Sequence, residues 1–326
     1  MIKISRDFVV DRFGREQEAA AFCESGDVVV FETRDCYDDN DISEKNPLGS
    51  NKNVIENPAT GPLFVRGAEA GDILRVEILN IKLRDYGIMR TSTSCGAFSH
   101  LYQERTARRF FFEKRREEED KGERNKETGR YGEVKEGFWF DRDLWLDCDA
   151  MIGVIGTAPQ GEEILTVTPG RHGGNMDCTR IRQGAVLYLP VNVDGAWLAL
   201  GDLHARMGDG EVMICGMETA GEVSVRVSLI KKGEGMKKGL FDVLPVVVEG
   251  NMVCSIQSAK TLDEAAVLAT RKMEAFLAEA AGIDDVKAGM LMSLLGNLAV
   301  CQIVNPWKTV RCEFPIKVME TYGVRF

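Results

Sequence analysis

Histidine is scarce in this chain, with three in 326 residues, at positions 100, 172 and 204. A site that needs imidazole therefore has few positions to draw on. Cysteine occurs nine times, but singly and never as C-x-x-C, which excludes the paired-cysteine metal and redox motifs and leaves most thiols reduced and buried. Long apolar runs are missing too. The opening MIKISRDFVVDRFGRE lacks the apolar core and cleavage pattern of a signal peptide. The most apolar late segment, 288–304, is broken by Ser293, Gly296, Asn297 and Gln302 and is too short and polar to span a membrane. No strand-like run leads into a Gly-rich nucleotide loop, and no G-x-S-x-G elbow or Ser-Lys arrangement supports a serine nucleophile. Lys and Arg number 41 against 51 Asp and Glu, a net charge of −10 that argues against nucleic-acid backbones as partners. Together these absences predict a cytoplasmic protein with neither a nucleic-acid nor a membrane partner.

What is present is a hydrophobic content of 44%, enough for a substantial core. Strand signals fill the first two thirds: DVVVFET at 27–33, the alternating GDILRVEI at 71–78, then 185–191, 197–200 and 221–229. The NPATGP at 57–62 is turn chemistry. Short strands with Gly-rich turns predict a β-sandwich or barrel. The last third turns helical. Thr261 and Glu264 form a capping box ahead of an apolar stripe that ends at Gly282, and a second helix is expected from about Asp284 to Val304, followed by a strand over 310–314. The predicted fold is mainly β with an α+β C-terminal part, divided into a β-rich lobe at 1–200 and an α+β lobe at 201–326. A charged insertion at 103–136 carries Phe110, Phe111 and Phe112 ahead of EKRREEEDKGERNKE. Mixed charge of this kind reads as a solvated helix or excursion, or as a lid or dimer arm with the phenylalanines docked on a neighbour.

Chemistry concentrates in GDLHARMGDGE, 201–211. In an extended segment Asp202 and His204 face the same way, as do Asp209 and Glu211, and the turn between the pairs lets them converge. Carboxylates and imidazole together suit a borderline divalent cation such as zinc. The plain alternative is that Gly-Asp and Asp-Gly are turns and His204 a satisfied strand-end residue. His172 opens a second stretch, HGGNMD, with Asp177 at its end. Cys36 and Cys178 lie beside these clusters, and either is a conceivable nucleophile paired with His172 or His204.

The segments VVFETRDCYDDN, NPATGPLFVRGAEAGDILRVEI, MIGVIGTAPQGEE, HGGNMD and GDLHARMGDGEV, in that order, resemble the acetamidase/formamidase family. The resemblance implies hydrolysis of a small linear amide, formamide or acetamide for example, to ammonia and a carboxylic acid. It also implies a largely β scaffold, assembly as a homodimer or higher oligomer, and a divalent metal, zinc in the first place with calcium as the alternative. Carried over by position, it implies Asp35, His172, Asp202 and His204 as metal ligands, Glu211 as general acid and base, and Asp177 as an orienting carboxylate. Gly173 and Gly174 would bring backbone N–H groups to the oxyanion. The long segment running to Phe140 departs from the family's short loop, which puts the acyl group of the substrate in question. It also leaves open a non-catalytic β-sandwich that keeps a structural cation site, calcium included.

Overall fold

The computed structural model describes residues 1–116, 134–233 and 236–326. Two sheets carry the fold. The first has nine strands in the order Ile2–Ile4, Val28–Thr33, Gly221–Ile230, Ile73–Leu83, Val186–Pro190, Val246–Glu249, Met252–Ala259, Lys308–Pro315 and Asn297–Gln302. The second is built on Leu198–His204, which pairs antiparallel with Met151–Gly156, Ala59–Val65 and Glu218–Thr219. The alternating Val223, Val225 and Val227 of the first sheet and Ile152, Ile155, Leu198, Leu200 and Leu203 of the second are fully buried in one shared cluster. This is the expected sandwich core, in which each strand gives one face to the interior.

The chain does not part at residue 200. Leu198–His204 runs straight across that position, and Gly221–Ile230 lies between strands from the first hundred residues, with Gly221 to Arg226 opposite Thr33 to Val28. Sheet pairing at long sequence separation replaces the two lobes by one interleaved sandwich. The C-terminal part is an extension of the first sheet. Leu262–Ala281, closed by the Thr261–Glu264 capping box and by Gly282 at φ 63°, packs Ala269, Met273, Phe276 and Leu277 on Val253, Val310 and Phe314. The second helix is shorter than expected. It spans Asp285–Leu295, stops at Gly296, and the chain continues as the edge strand Asn297–Gln302.

From Ala107 on, the segment read as a charged insertion is largely β where it is described. Ala107–Phe111 extends the second sheet beside Tyr86–Arg90, and Glu113–Arg116 pairs with Val134–Trp139, which in turn pairs with Trp145–Asp147. Two of the three phenylalanines dock on their own chain, while Phe111 is 65% exposed. Phe110 stacks on Phe140 at 5.6 Å and meets Phe138 edge-on at 5.5 Å, while Phe112 lies 6.0 Å from Phe138. Aromatic packing at these spacings holds the hairpin down and makes a helix there untenable. The most charged stretch of the lid-or-arm reading, 117–133, lies outside the described residues. Among those that are described, no helix is long and apolar enough to cross a membrane.

Candidate active site

Period-two alternation slips at one level of the second sheet. Leu200 and Leu203 both face the core, as do Ile152 and Ile155 opposite them, although members of each pair are three residues apart. The slip falls at Gly153 and Asp202, and Asp202 sits in the left-handed region at φ 54°. This break turns Asp202 and His204 away from the core and toward each other, with Nε2 of His204 3.4 Å from Oδ1 of Asp202. Left-handed backbone is costly for residues with a side chain and clusters where function needs it. Asn57 at 55°, Asp177 at 47° and Glu211 at 45° share it and lie in the same neighbourhood.

Ligand-capable atoms of Asp177, His204 and Glu211 lie within 4.8 Å of one another, all three residues buried. A second group, Cys36, Asp202 and Glu218, adjoins it, and Nε2 of His204 is 3.1 Å from Oε1 of Glu218. Three amides hold the carboxylates. Asn305 donates to Oδ2 of Asp177 at 2.6 Å and Asn57 to Oδ2 of Asp202 at 3.3 Å. With its nitrogen facing the acids, the orientation its neighbours require, Asn175 donates to both oxygens of Asp177 at 3.0 Å and to Oδ2 of Asp202 at 3.1 Å. Oε2 of Glu211, Oε2 of Glu218 and both ring nitrogens of His204 are buried without an aligned hydrogen bond.

Four buried carboxylates around one imidazole make an electrostatically demanding centre. Burial, then the neighbouring charge of Asp202, pushes Asp177 up to about 6. Glu218 is likewise raised by burial, to about 7, and Glu211 well above its ordinary value by burial and Asp177. Burial disfavours a charged His204, but Glu218 and Asp202 outweigh it and hold the ring protonated. Burial also opposes the charge on Asp202, and contact with His204 overrides that and keeps it ionised. The excess negative charge has two ways to be balanced, by protons or by a divalent cation. The donor set of Asp177, His204 and Glu211, two carboxylates and one imidazole with orphaned atoms among them, suits such an ion.

Of the residues proposed from sequence, Asp177, Asp202, His204 and Glu211 come together; the others do not. Asp35 is fully buried, but its carboxylate is committed to Arg84 and to the backbone N–H of Tyr37 at 3.0 Å and of Asp39 at 2.9 Å. Its place is the anchor of a turn, outside both ligand groups. His172 packs edge-on against Phe13 at 5.1 Å and likewise lies outside them, its pKa lowered to about 4 by burial. The N–H of Gly173 donates to the carbonyl of Gly170, and Gly174 lies in the ladder opposite Ile155, so neither is laid out as an oxyanion donor. These glycines are demanded by packing. A Cβ on Gly173 would stand 2.2 Å from the Ile155 carbonyl oxygen, and one on Gly174 2.4 Å from that of Thr168. Asp209 is turned to Arg311, at 2.6 and 2.7 Å, instead of sharing a face with Glu211. Burial drives the Cys36 thiol well above its ordinary range, and Cys178 sits in the main core, so neither is presented as a nucleophile.

Glu218 and the three asparagines escaped the sequence reading. Glu218 had one available signal, a lone acid between Met217 and Thr219 just ahead of the alternating strand.

Beside this centre opens a cavity of about 310 Å³, with Glu211 and Gly216 among its lining residues. Gly216 lies flat against the His204 ring, where a Cβ would be 2.9 Å from Nδ1. A two-sheet β protein with a buried carboxylate and imidazole centre beside a cavity is the class that fold and site define. The family model for the Acetamidase/Formamidase family matches residues 149–304. Along its length the chain is similar to the crystal structure of an acetamidase from Bacillus halodurans, at 41% identity and a TM-score of 0.86, covering 99% of this chain and 100% of that one. A predicted acetamidase/formamidase from the thermophile Thermoanaerobacter tengcongensis is 36% identical, with 100% and 99% covered and a TM-score of 0.86. The formamidase of Methylophilus methylotrophus is 42% identical over 89 residues, 26% of this chain and 22% of that protein, so the match spans about a fifth of that relative's length. The chain belongs to the acetamidase/formamidase family.

Proposed function

We propose that this protein is an amidohydrolase that converts a linear amide and water to ammonia and a carboxylic acid, assisted by a divalent cation, zinc in the first place. The observation that carries the reading is the convergence of Asp177, His204 and Glu211 beside an open cavity. Those three residues would hold the cation, with Asp202 and Glu218 beside them and Asn57, Asn175 and Asn305 fixing the carboxylates. When bound, the cation supplies Lewis acidity to the amide carbonyl and to a water. Glu211 handles the proton. As a carboxylate whose proton affinity burial raises, it would take a proton from the attacking water and, as the resulting acid, return it to the departing amine nitrogen. Relatives named acetamidase and formamidase support the same chemistry. The proposal extends to a homo-oligomer in which a second copy covers the apolar surface around Asp285–Leu295.

The test is ammonia release from formamide, acetamide, propionamide and a lactam, by wild type and Glu211→Gln, before and after chelation and with zinc or calcium returned. Release abolished by chelation, restored by zinc and absent in the variant is the expected result. A folded protein that holds stoichiometric metal but releases no ammonia from any amide overturns the reading in favour of a structural cation site.

A further inference from the structure

The cavity beside Glu211 is built for more than a one- or two-carbon acyl group. Its volume of about 310 Å³ is the room of on the order of ten waters at ~30 Å³ each. Acetamide has four non-hydrogen atoms and would leave most of it wet. The walls are apolar and soft: Met89, Phe138, Phe140, Leu146, Met213 and Met217. The charged groups along it are turned to partners of their own. Asp209 is held by Arg311, and Arg206 donates to the carbonyl of Asp147 at 2.7 Å. Phe138 and Phe140 stand where the segment after 133 returns to the body, and Phe110 packs on both from the strand before it. The wall is therefore fixed before any substrate arrives, which lowers the ordering cost of binding. Methionines on the remaining sides give the adaptability that suits chains of varied shape.

We propose that the amide hydrolysed here carries an apolar acyl group of about four to eight carbons, aliphatic or aryl. Its hydrocarbon lies along the Met and Phe walls and its carboxamide at Glu211. The proposal rests on the amidohydrolase reading above and names the substrate class of that same site. The long segment through Phe140 then has a direct role, since two of its aromatic side chains form the acyl wall.

The experiment is kcat/KM of the metal-loaded enzyme for acetamide, butyramide, hexanamide and phenylacetamide, in wild type, Leu146→Trp and Met89→Trp. Transfer of each methylene from water to the cavity is expected to raise kcat/KM about four-fold, so hexanamide, with four more methylenes, should exceed acetamide by roughly 250-fold. Either tryptophan variant, shown folded by near-ultraviolet dichroism, should cut the hexanamide-to-acetamide ratio at least ten-fold. Should a variant fail to fold, the wild-type series decides alone. Acetamide turnover with a flat or falling series overturns the acyl-group assignment and leaves the amidohydrolase standing, as does a folded variant with an unchanged ratio. No turnover of any amide overturns both.

Discussion

A Cβ added to Gly153 would stand 2.6 Å from Oδ1 of Asp177, and equally close to Oδ2 of Asp202. The missing side chain is thus what lets the carboxylate of strand residue Asp202 and that of Asp177, two residues past the strand Gly173–Asn175, approach each other at the level where sheet alternation slips. Gly153→Ala should push them apart, at a cost of about 1–3 kcal/mol for the overpacked core. Activity should fall by more than 100-fold, since displacements of this size matter to a reacting geometry. Paired melting curves and kcat measurements check it, and an active, unshifted variant would refute this role for the glycine.

Glu211 is placed for chemistry at the expense of stability. Its carboxyl is buried against Asp177, Glu218 and Asp202, with Oε2 left without a partner. Glu211→Gln removes the cost of protonating this buried carboxyl on folding, so in chelated protein at neutral pH the variant should be more stable than wild type by about 1 kcal/mol or more. Amide turnover should drop by roughly 100- to 10,000-fold, the usual worth of a positioned acid or base. Denaturant midpoints of the two chelated proteins decide the stability half, and a less stable variant would show that Glu211 supports the fold instead.

His172 gives a pH signature of the fold alone. Burial lowers its pKa from 6.5 to about 4, so the unfolded chain takes up a proton at a pH where the folded chain does not. The stability contribution of the neutral ring is complete above pH 6.5 and is lost as pH falls toward 4, about 3 kcal/mol in all. His172→Phe removes this titration. Urea midpoints at pH 7, 5.5 and 4.5 should show wild type losing ground to the variant as acid is added; parallel curves would contradict the burial argument.

The nearly buried Arg311 ties the loop before Glu211 to the C-terminal sheet. It donates to both oxygens of Asp209 and, at 2.7 Å, to Oε1 of Glu313. Arg311→Met leaves both acids without this partner, but Glu313 keeps Arg180 at 3.0 Å and the Asp209 side chain is 40% exposed, so the loss should be about 1–3 kcal/mol. Because Asp209 lies two residues from Glu211, kcat should fall as well. A loss of stability with kcat untouched would show that the loop is held by other means.

Local rules made much of this legible. The strand Gly221–Ile230 announced itself by alternation, Leu262–Ala281 by Thr261 and Glu264, and the pairing of Asp202 with His204 by their two-residue spacing. What was hidden depends on the third dimension. Nothing local reveals that Asp35 is spent on Arg84, 49 residues away, or that the partner of Asp209 is Arg311. Glu218 joins the centre because sheet register places it opposite His204, and Asn305, which reads as a helix stop before Pro306, reaches back to Asp177 across 128 residues. In the paired strands on either side of 117–133, Glu113–Arg116 and Val134–Trp139, the charge pattern speaks only to solvation, whereas the packing of Phe110 on Phe138 and Phe140 accompanies the β conformation.

The edge of the nine-stranded sheet offers a last prediction. Val286, Met290 and Leu294, spaced four apart along Asp285–Leu295, are 67%, 63% and 78% exposed, and Leu298 on the neighbouring edge strand is 55% exposed. An apolar stripe beside an open strand edge is a surface that soluble proteins ordinarily cover. Light scattering should give at least twice the monomer mass for wild type. The double variant Met290→Lys, Leu294→Glu should run as a monomer with its melting temperature little changed at low protein concentration, because both side chains already face solvent in the isolated chain, and below that of wild type at high concentration, where association adds stability. A wild type that is monomeric at micromolar concentration, or a double variant that still associates, would remove this stripe as the contact between copies.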